Sequence, residues 1–195
     1  MDLAKKFYFA WCDKVNARKK ELENTWRNSK AYTKTIIHSN SSILMDISET
    51  LGFKCYNADY YFIDAVFFKP EDLVPEYPEA YYLTDLRIAF EHENDFASGL
   101  FQEVCHLLQV NCDLKVLVTY PPNETDELSE LKYLYKIVRK SRKESALSEN
   151  NSFLIIMGHD ELAKWKGWIY KSTGWEQIAN NSSQCSEPPK FGIGC

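Results

Sequence analysis

Apolar positions recur at helical spacing from residue 3 to about 28, where Leu3, Phe7, Trp11, Val15, Leu22 and Trp26 fall near one face. The same period predicts a second helix from Ser42 to Leu51, with Ser41 or Ser42 as N-cap and Gly52 just past its end. The period then changes. Tyr60–Lys69 (YYFIDAVFFK) is aromatic and β-branched and reads as a strand, and Leu83–Glu93 (LTDLRIAFEHE) reads as another across a Pro-rich acidic loop. A helix over 98–109, a buried strand over 114–120, a helix over 126–143 with Leu128, Leu131, Leu134, Tyr135 and Val138 inward, and a buried strand over 153–158 follow. A hairpin over 167–178 turns near Thr173-Gly174. Two adjacent strands, then strands alternating with helices, predict an α/β fold: a mixed β-sheet covered on both faces. One domain is expected over 1–180, with a loosely ordered polar tail at 181–195.

Composition narrows the class. The chain of 195 residues is 45% hydrophobic and 14% aromatic, which suits a single globular domain with a sizeable core. No apolar run is long enough for a membrane span, and the N-terminal apolar run is too short for a secretory signal. The six cysteines, Cys12, Cys55, Cys105, Cys112, Cys185 and Cys195, form no CxxC pair, so reduced thiols and a cytoplasmic location are expected, and a zinc site is not. The net charge of −5 argues against a surface coated in positive charge, but the charge is unevenly spread. Lys and Arg concentrate over 1–34 and 132–143, and acids over 59–103 and 124–130.

The acids include an unusual set. Asp64 interrupts an otherwise apolar strand between Ile63 and Ala65. A carboxylate buried there needs hydrogen bonds, a cation or a metal to offset its desolvation; the plainer alternative is a strand-end Asp satisfied by backbone donors. Glu91 and Glu93 lie two apart in a strand and share a face, while Phe90 and His92 point the other way. Like charges this close raise each other's pKa unless a cation lies between them. A pair at the emerging end of a buried strand suits a hard oxygen-ligated ion, Mg²⁺ or Mn²⁺, or is a solvated strand end.

An Asp in a strand, a separation of 27 residues, Glu-x-Glu at the end of the next strand, a helix and then a strand resemble the PD-(D/E)xK (restriction endonuclease-like) nuclease superfamily in its Glu-x-Glu variant. The resemblance covers roughly residues 42–120. It implies a restriction endonuclease-like mixed sheet with an αβββαβ core, here with an extra N-terminal helix, and one hairpin strand hidden in the loop 70–86. It implies Asp64 and Glu91 as metal ligands with the backbone carbonyl of His92. Glu93 would stand where most members have Lys, as base or second-metal ligand. Lys115 is the candidate for a migrated Lys, and bordering the sheet is its plainer role. Asp46, with Glu49 in reserve, would add an acid from the preceding helix, and Glu103, like Gln102, could face the site or solvent.

The implied activity is Mg²⁺- or Mn²⁺-dependent endonucleolytic hydrolysis of phosphodiester bonds, with DNA as the expected substrate. A homodimer would suit two-strand cutting, with Tyr77, Tyr81 and Tyr82 as interface candidates against simple packing on the sheet. Lys132, Lys136, Arg139, Lys140 and Lys143 recur along one helix face that could follow phosphates or simply face water. His159-Asp160-Glu161 reads as a strand end entering a helix. The competing reading is a catalytically inactive nuclease-like module that binds a protein or nucleic-acid partner.

Overall fold

The structure, a computed structural model, describes residues 1–26, 28–159 and 164–179. The tail 181–195, with Cys185 and Cys195, and the pair Asp160-Glu161 lie outside the described residues. Helix α1 (Leu3–Ala17) is capped by Asp2, which accepts the Lys5 amide at 2.9 Å. The single helix expected over 3–28 breaks at Arg18, and α2 (Lys19–Thr25) follows. The break has a tertiary cause. The Arg18 guanidinium donates to Glu21 at 2.9 Å, to the Ser41 carbonyl and to Asp46 at 3.3 Å, holding its backbone at φ −107°. Helix α3 (Ser29–Thr33) runs into a π-helical turn at Lys34–His38, and neither was expected. Helix α4 (Ile43–Leu51) matches expectation: Ser42 caps it, and Gly52 ends it in the left-handed region at φ 75°.

Strands β1 (Lys54–Tyr56), β2 (Ala65–Phe68), β3 (Ile88–Glu93), β4 (Leu114–Thr119), β5 (Phe153–His159), β6 (Lys164–Lys171) and β7 (Gly174–Gln177) form one sheet whose spatial order follows the chain. β1–β2–β3 pair antiparallel, β3–β4–β5 parallel, and β5–β6–β7 antiparallel. The parallel steps need crossovers, supplied by α5 (Phe101–Gln109) and by α6 (Glu124–Val138) with α7 (Glu144–Glu149). The protein is thus α/β, with a seven-stranded mixed sheet flanked by helices. β4 and β5 are buried along their full length, as strands covered on both faces must be. Phe7, Trp11, Ile43 and Leu44 pack on one face with Phe90 and Val116; Val104, Leu107, Leu131 and Leu134 pack on the other with Ala89 and Leu117.

Several boundaries differ from expectation. The strand expected over 60–69 begins only at Ala65, because Tyr60–Ile63 is a tight turn with Tyr61 at φ 62°. The loop 70–86 contains no strand; a strand that was not expected, β1, lies before β2. That loop is held instead by short 3-10 turns and a Leu73–Leu83 bridge. β3 starts five residues later than the strand expected from Leu83, and the helix expected over 126–143 ends at Val138, with a separate helix, α7, beginning only at Glu144. Leu128, expected inward, is 51% exposed. Cys12, Cys55, Cys105 and Cys112 are free thiols. No helix among the described residues is long and apolar enough to cross a membrane.

The layer of α1 sits directly on β6 because position 167 is glycine. A Cβ there would stand 2.7 Å from the Tyr8 ring, which is fully buried and donates its hydroxyl to the Trp165 carbonyl at 2.8 Å. Gly167→Ala should therefore cost about 1–3 kcal/mol through overpacking. Urea unfolding would show this as a lower midpoint at unchanged slope; an unchanged midpoint would refute the close approach.

Candidate metal centre

The register places Ala65 opposite Phe90. One step further along each chain sets Asp64 against Glu91, and two hydrogen bonds fix them. The Asp64 amide donates to Glu91 Oε2 at 3.3 Å, and the His92 amide donates to Asp64 Oδ2 at 2.8 Å. In an extended chain the N–H and C=O of one residue project on the same edge. The His92 carbonyl therefore lies on the edge that faces Asp64. The tight turn at Tyr60–Ile63 delivers Asp64 to this position and lays Phe62 against the His106 ring, with centroids 5.4 Å apart.

Glu91 and Glu93 share the face covered by α5. Glu91 is buried at 2% exposure, and its Oε1 accepts no hydrogen bond. Helix α5 brings Glu103 and His106, one turn apart, to the same place. His106 Nδ1 lies 3.6 Å from Glu91 Oε1 and 3.4 Å from Glu103 Oε2, and it too makes no hydrogen bond. One ligand atom from each of Glu91, Glu103 and His106 falls within 4.8 Å of the others. Burial pushes the Glu91 carboxyl up to about 10, and the charges of Asp64 and Glu103 push the same way. Burial also raises Asp64, opposed by the His92 amide, and raises Glu103, opposed by His106 and reinforced by Asp64 and Glu93. The like charge expected to press on Glu91 was Glu93; the groups that do so are Asp64 and Glu103. Glu93 turns toward the following loop and accepts the Asp95 amide at 2.6 Å.

The side chain of His92 points to the opposite face, as the strand period requires. Its Nε2 meets the Tyr120 hydroxyl at 2.8 Å, and burial lowers its pKa to about 3. Asp46 stands apart from the acids, held by Arg18, on a helix that packs on the far face of the sheet; Glu49 is exposed on the same helix. Lys115 is buried opposite Ala89, two rungs before Glu91, and donates to Cys112 Sγ at 3.3 Å. It serves the edge where β4 begins, four rungs before Thr119, the partner of Glu93. Gln102 is exposed. Tyr81 packs against Tyr56 with centroids 4.8 Å apart, while Tyr77 and Tyr82 remain 62% and 54% exposed. His159 contacts Glu127, which also accepts from Lys166 and Trp168, so this cluster is internally paired.

Lys132, Lys136, Arg139, Lys140 and Lys143 are all exposed. A crossover helix runs back against its strands, so α6 begins beside the end of β4 and finishes at the opposite edge. The denser half of the stripe, Lys136–Lys143, is thereby carried away from Glu91. The N-terminal run, by contrast, is tied to the end of β3. Thr33 accepts a bond from Asn94, just past Glu93, at 2.7 Å, and exposed Lys30 and Lys34 flank it. His38, at the end of the π-helical turn, acts through its charge on Asp64.

His106 was not among the residues expected from sequence. The available signal was an acid and a histidine three apart on the helix that directly follows Glu-x-Glu. No protein-family model matches the chain, and no curated protein matches it in sequence.

Proposed function

We propose that this protein is a metal-dependent nuclease that hydrolyses phosphodiester bonds, with DNA as substrate, on a restriction endonuclease-like core. The observation that carries the reading is the pairing of Asp64 with the buried Glu91, whose Oε2 accepts the Asp64 amide while its Oε1 is left without a hydrogen-bond partner. An orphaned acceptor of this kind is costly unless a cation completes it, so the residues present fit a metal ion. The succession α4–β1–β2–β3–α5–β4 supports the same reading, since it reproduces the αβββαβ ground plan with the acids on a hairpin.

Asp64, Glu91 and the His92 carbonyl would hold Mg²⁺ or Mn²⁺. Such an ion lowers the pKa of a bound water and offsets charge on the scissile phosphate. Glu93, once released from the Asp95 amide, orients the water and accepts its proton. Lys30 and Lys34 position the phosphate backbone without reading sequence. Plasmid DNA incubated with either ion should be cut by the wild type and spared when EDTA is present or Asp64 is replaced by alanine; undiminished cutting by Asp64→Ala would refute the site. The non-catalytic binding module remains the competing reading, favoured by the engagement of Lys115 with Cys112. Stabilisation by Mn²⁺ without cleavage would decide for it.

The placement of the basic groups gives a separate expectation. The double variant Lys30→Ala, Lys34→Ala should reduce the salt slope of DNA binding by about 2, roughly one per lost phosphate contact. Lys136→Ala with Arg139→Ala should leave it unchanged. Fluorescence anisotropy across a salt series measures both, and the reverse ranking would restore α6 as the phosphate-binding face.

A further inference from the structure

Glu91 has two carboxylate oxygens in different surroundings. Oε2 lies on the Asp64 side and accepts that residue's amide. Oε1 lies on the α5 side, close to His106 Nδ1 and without a hydrogen bond. The unpartnered imidazole nitrogen lies 3.6 Å from the unpartnered buried oxygen and 3.4 Å from Glu103 Oε2, and one ligand atom from each of the three residues falls within 4.8 Å of the others, a spacing that one ion can bridge. We propose that Glu91 Oε1, Glu103 and His106 form a second divalent-cation position, sharing Glu91 with the position of Asp64 and the His92 carbonyl, and that it takes Mn²⁺ in preference to Mg²⁺. The proposal deepens the metal-site reading above and rests on it through Glu91 alone.

The preference follows from the donor set. Mg²⁺ favours an all-oxygen octahedron and keeps much of its water, whereas imidazole suits later divalent metals. Mn²⁺ accepts carboxylates and also tolerates one nitrogen ligand. His106 is half-exposed, packs against the Phe62 ring and turns its buried Nδ1 toward the two carboxylates. The chain has four histidines, and the other three are engaged: His38 with the Asn57 carbonyl, His92 with Tyr120 and His159 with Glu127. A nitrogen coupled to bound Mn²⁺ is therefore assignable to His106.

The test is electron spin-echo spectroscopy of Mn²⁺ bound to the full, tag-free chain, with affinity measured in parallel by titrating free Mn²⁺. Wild type should show ¹⁴N modulation. His106→Gln should lose it and bind Mn²⁺ at this position about tenfold or more weakly, an effect at least as large as that of losing a supporting partner of a ligand. Its affinity for Mg²⁺ should change much less. Asp64→Asn should keep the modulation, and His38→Gln serves as control. Modulation absent from wild type, or surviving in His106→Gln, overturns the second position. Wild type that cleaves DNA but shows no nitrogen coupling would leave the nuclease reading standing alone. Wild type that shows the coupling but never cleaves would leave the cation position standing and remove the nuclease.

Discussion

Replacing Glu91 by glutamine is expected to abolish cleavage and, in the absence of metal, to raise the melting temperature. The two effects share one cause. Glu91 is 2% exposed, faces the charges of Asp64 and Glu103, and leaves Oε1 without a donor. Its pKa, pushed up to about 10, states the cost of ionising it there. A carboxyl whose folded pKa is raised contributes stability that is complete below its unfolded value and is lost as pH rises toward the folded one. Metal-free wild type should therefore lose stability from about pH 4.5 upward, and Glu91→Gln should not show this component. A glutamine keeps the shape, cannot ionise and can donate to the neighbouring oxygens. Relief of one buried unsatisfied group is worth about 1–3 kcal/mol, which at about 2–4 °C per kcal/mol is a shift of several degrees. Cleavage should fall by about 10²-fold or more, because electrostatic groups at a reacting phosphate are commonly worth that much. Calorimetry with EDTA and a plasmid assay with Mn²⁺ check the two halves. A variant that melts lower and still cuts would mean that Glu91 is structural.

How far this site was legible depended on how local its signals were. Asp64 and Glu91 could be found because an acid inside an apolar strand and acids at period two are anomalies visible within a few residues. The orientation of His92 away from the acids followed from the same period. The turn at Tyr60–Ile63 was hidden, because Tyr61 takes a left-handed conformation usually given to glycine or asparagine, inside a run whose aromatics read as strand. β1 was hidden because three residues, none fully buried, carry almost no periodicity. The break at Arg18 has no glycine or proline to announce it; its cause is the Ser41 carbonyl and Asp46, more than 20 residues away. Asp46 was accordingly misassigned, since sequence could not show that Arg18 holds its carboxylate. His106 lay on an ordinary amphipathic helix, and only the packing of α5 against β3 gives it meaning.

The largest stability loss is expected from a residue that sequence did not single out. Asp72 is buried in the loop between β2 and β3, and the Arg87 guanidinium grips it with two bonds, Nε to Oδ2 at 2.9 Å and Nη2 to Oδ1 at 2.5 Å. Asp72 Oδ2 also accepts the Lys69 amide at 2.7 Å, and its carbonyl accepts from the Thr84 amide at 2.8 Å, so one residue ties both ends of the loop. Asp72→Asn keeps the volume but leaves Arg87 with only the exposed carboxylates of Asp85 and Asp113. Breaking a buried pair from one side costs about 3–5 kcal/mol; the residual partners favour the lower end, or a fall of roughly 6–12 °C. The pH dependence has the opposite sign to that of Glu91. The Arg87 side chain holds the Asp72 carboxyl below its ordinary 3.8, so its stabilisation is present above that value and is lost as pH falls through the lowered one. The gap between wild type and Asp72→Asn should thus be full at neutral pH and close below about pH 4. A gap that is constant down to pH 2 would refute the ion pair as its source. Because this loop sets how β2 meets β3, and a slip of one residue would turn Asp64 away from Glu91, the same variant should also bind Mn²⁺ more weakly although Asp72 belongs to neither cation position.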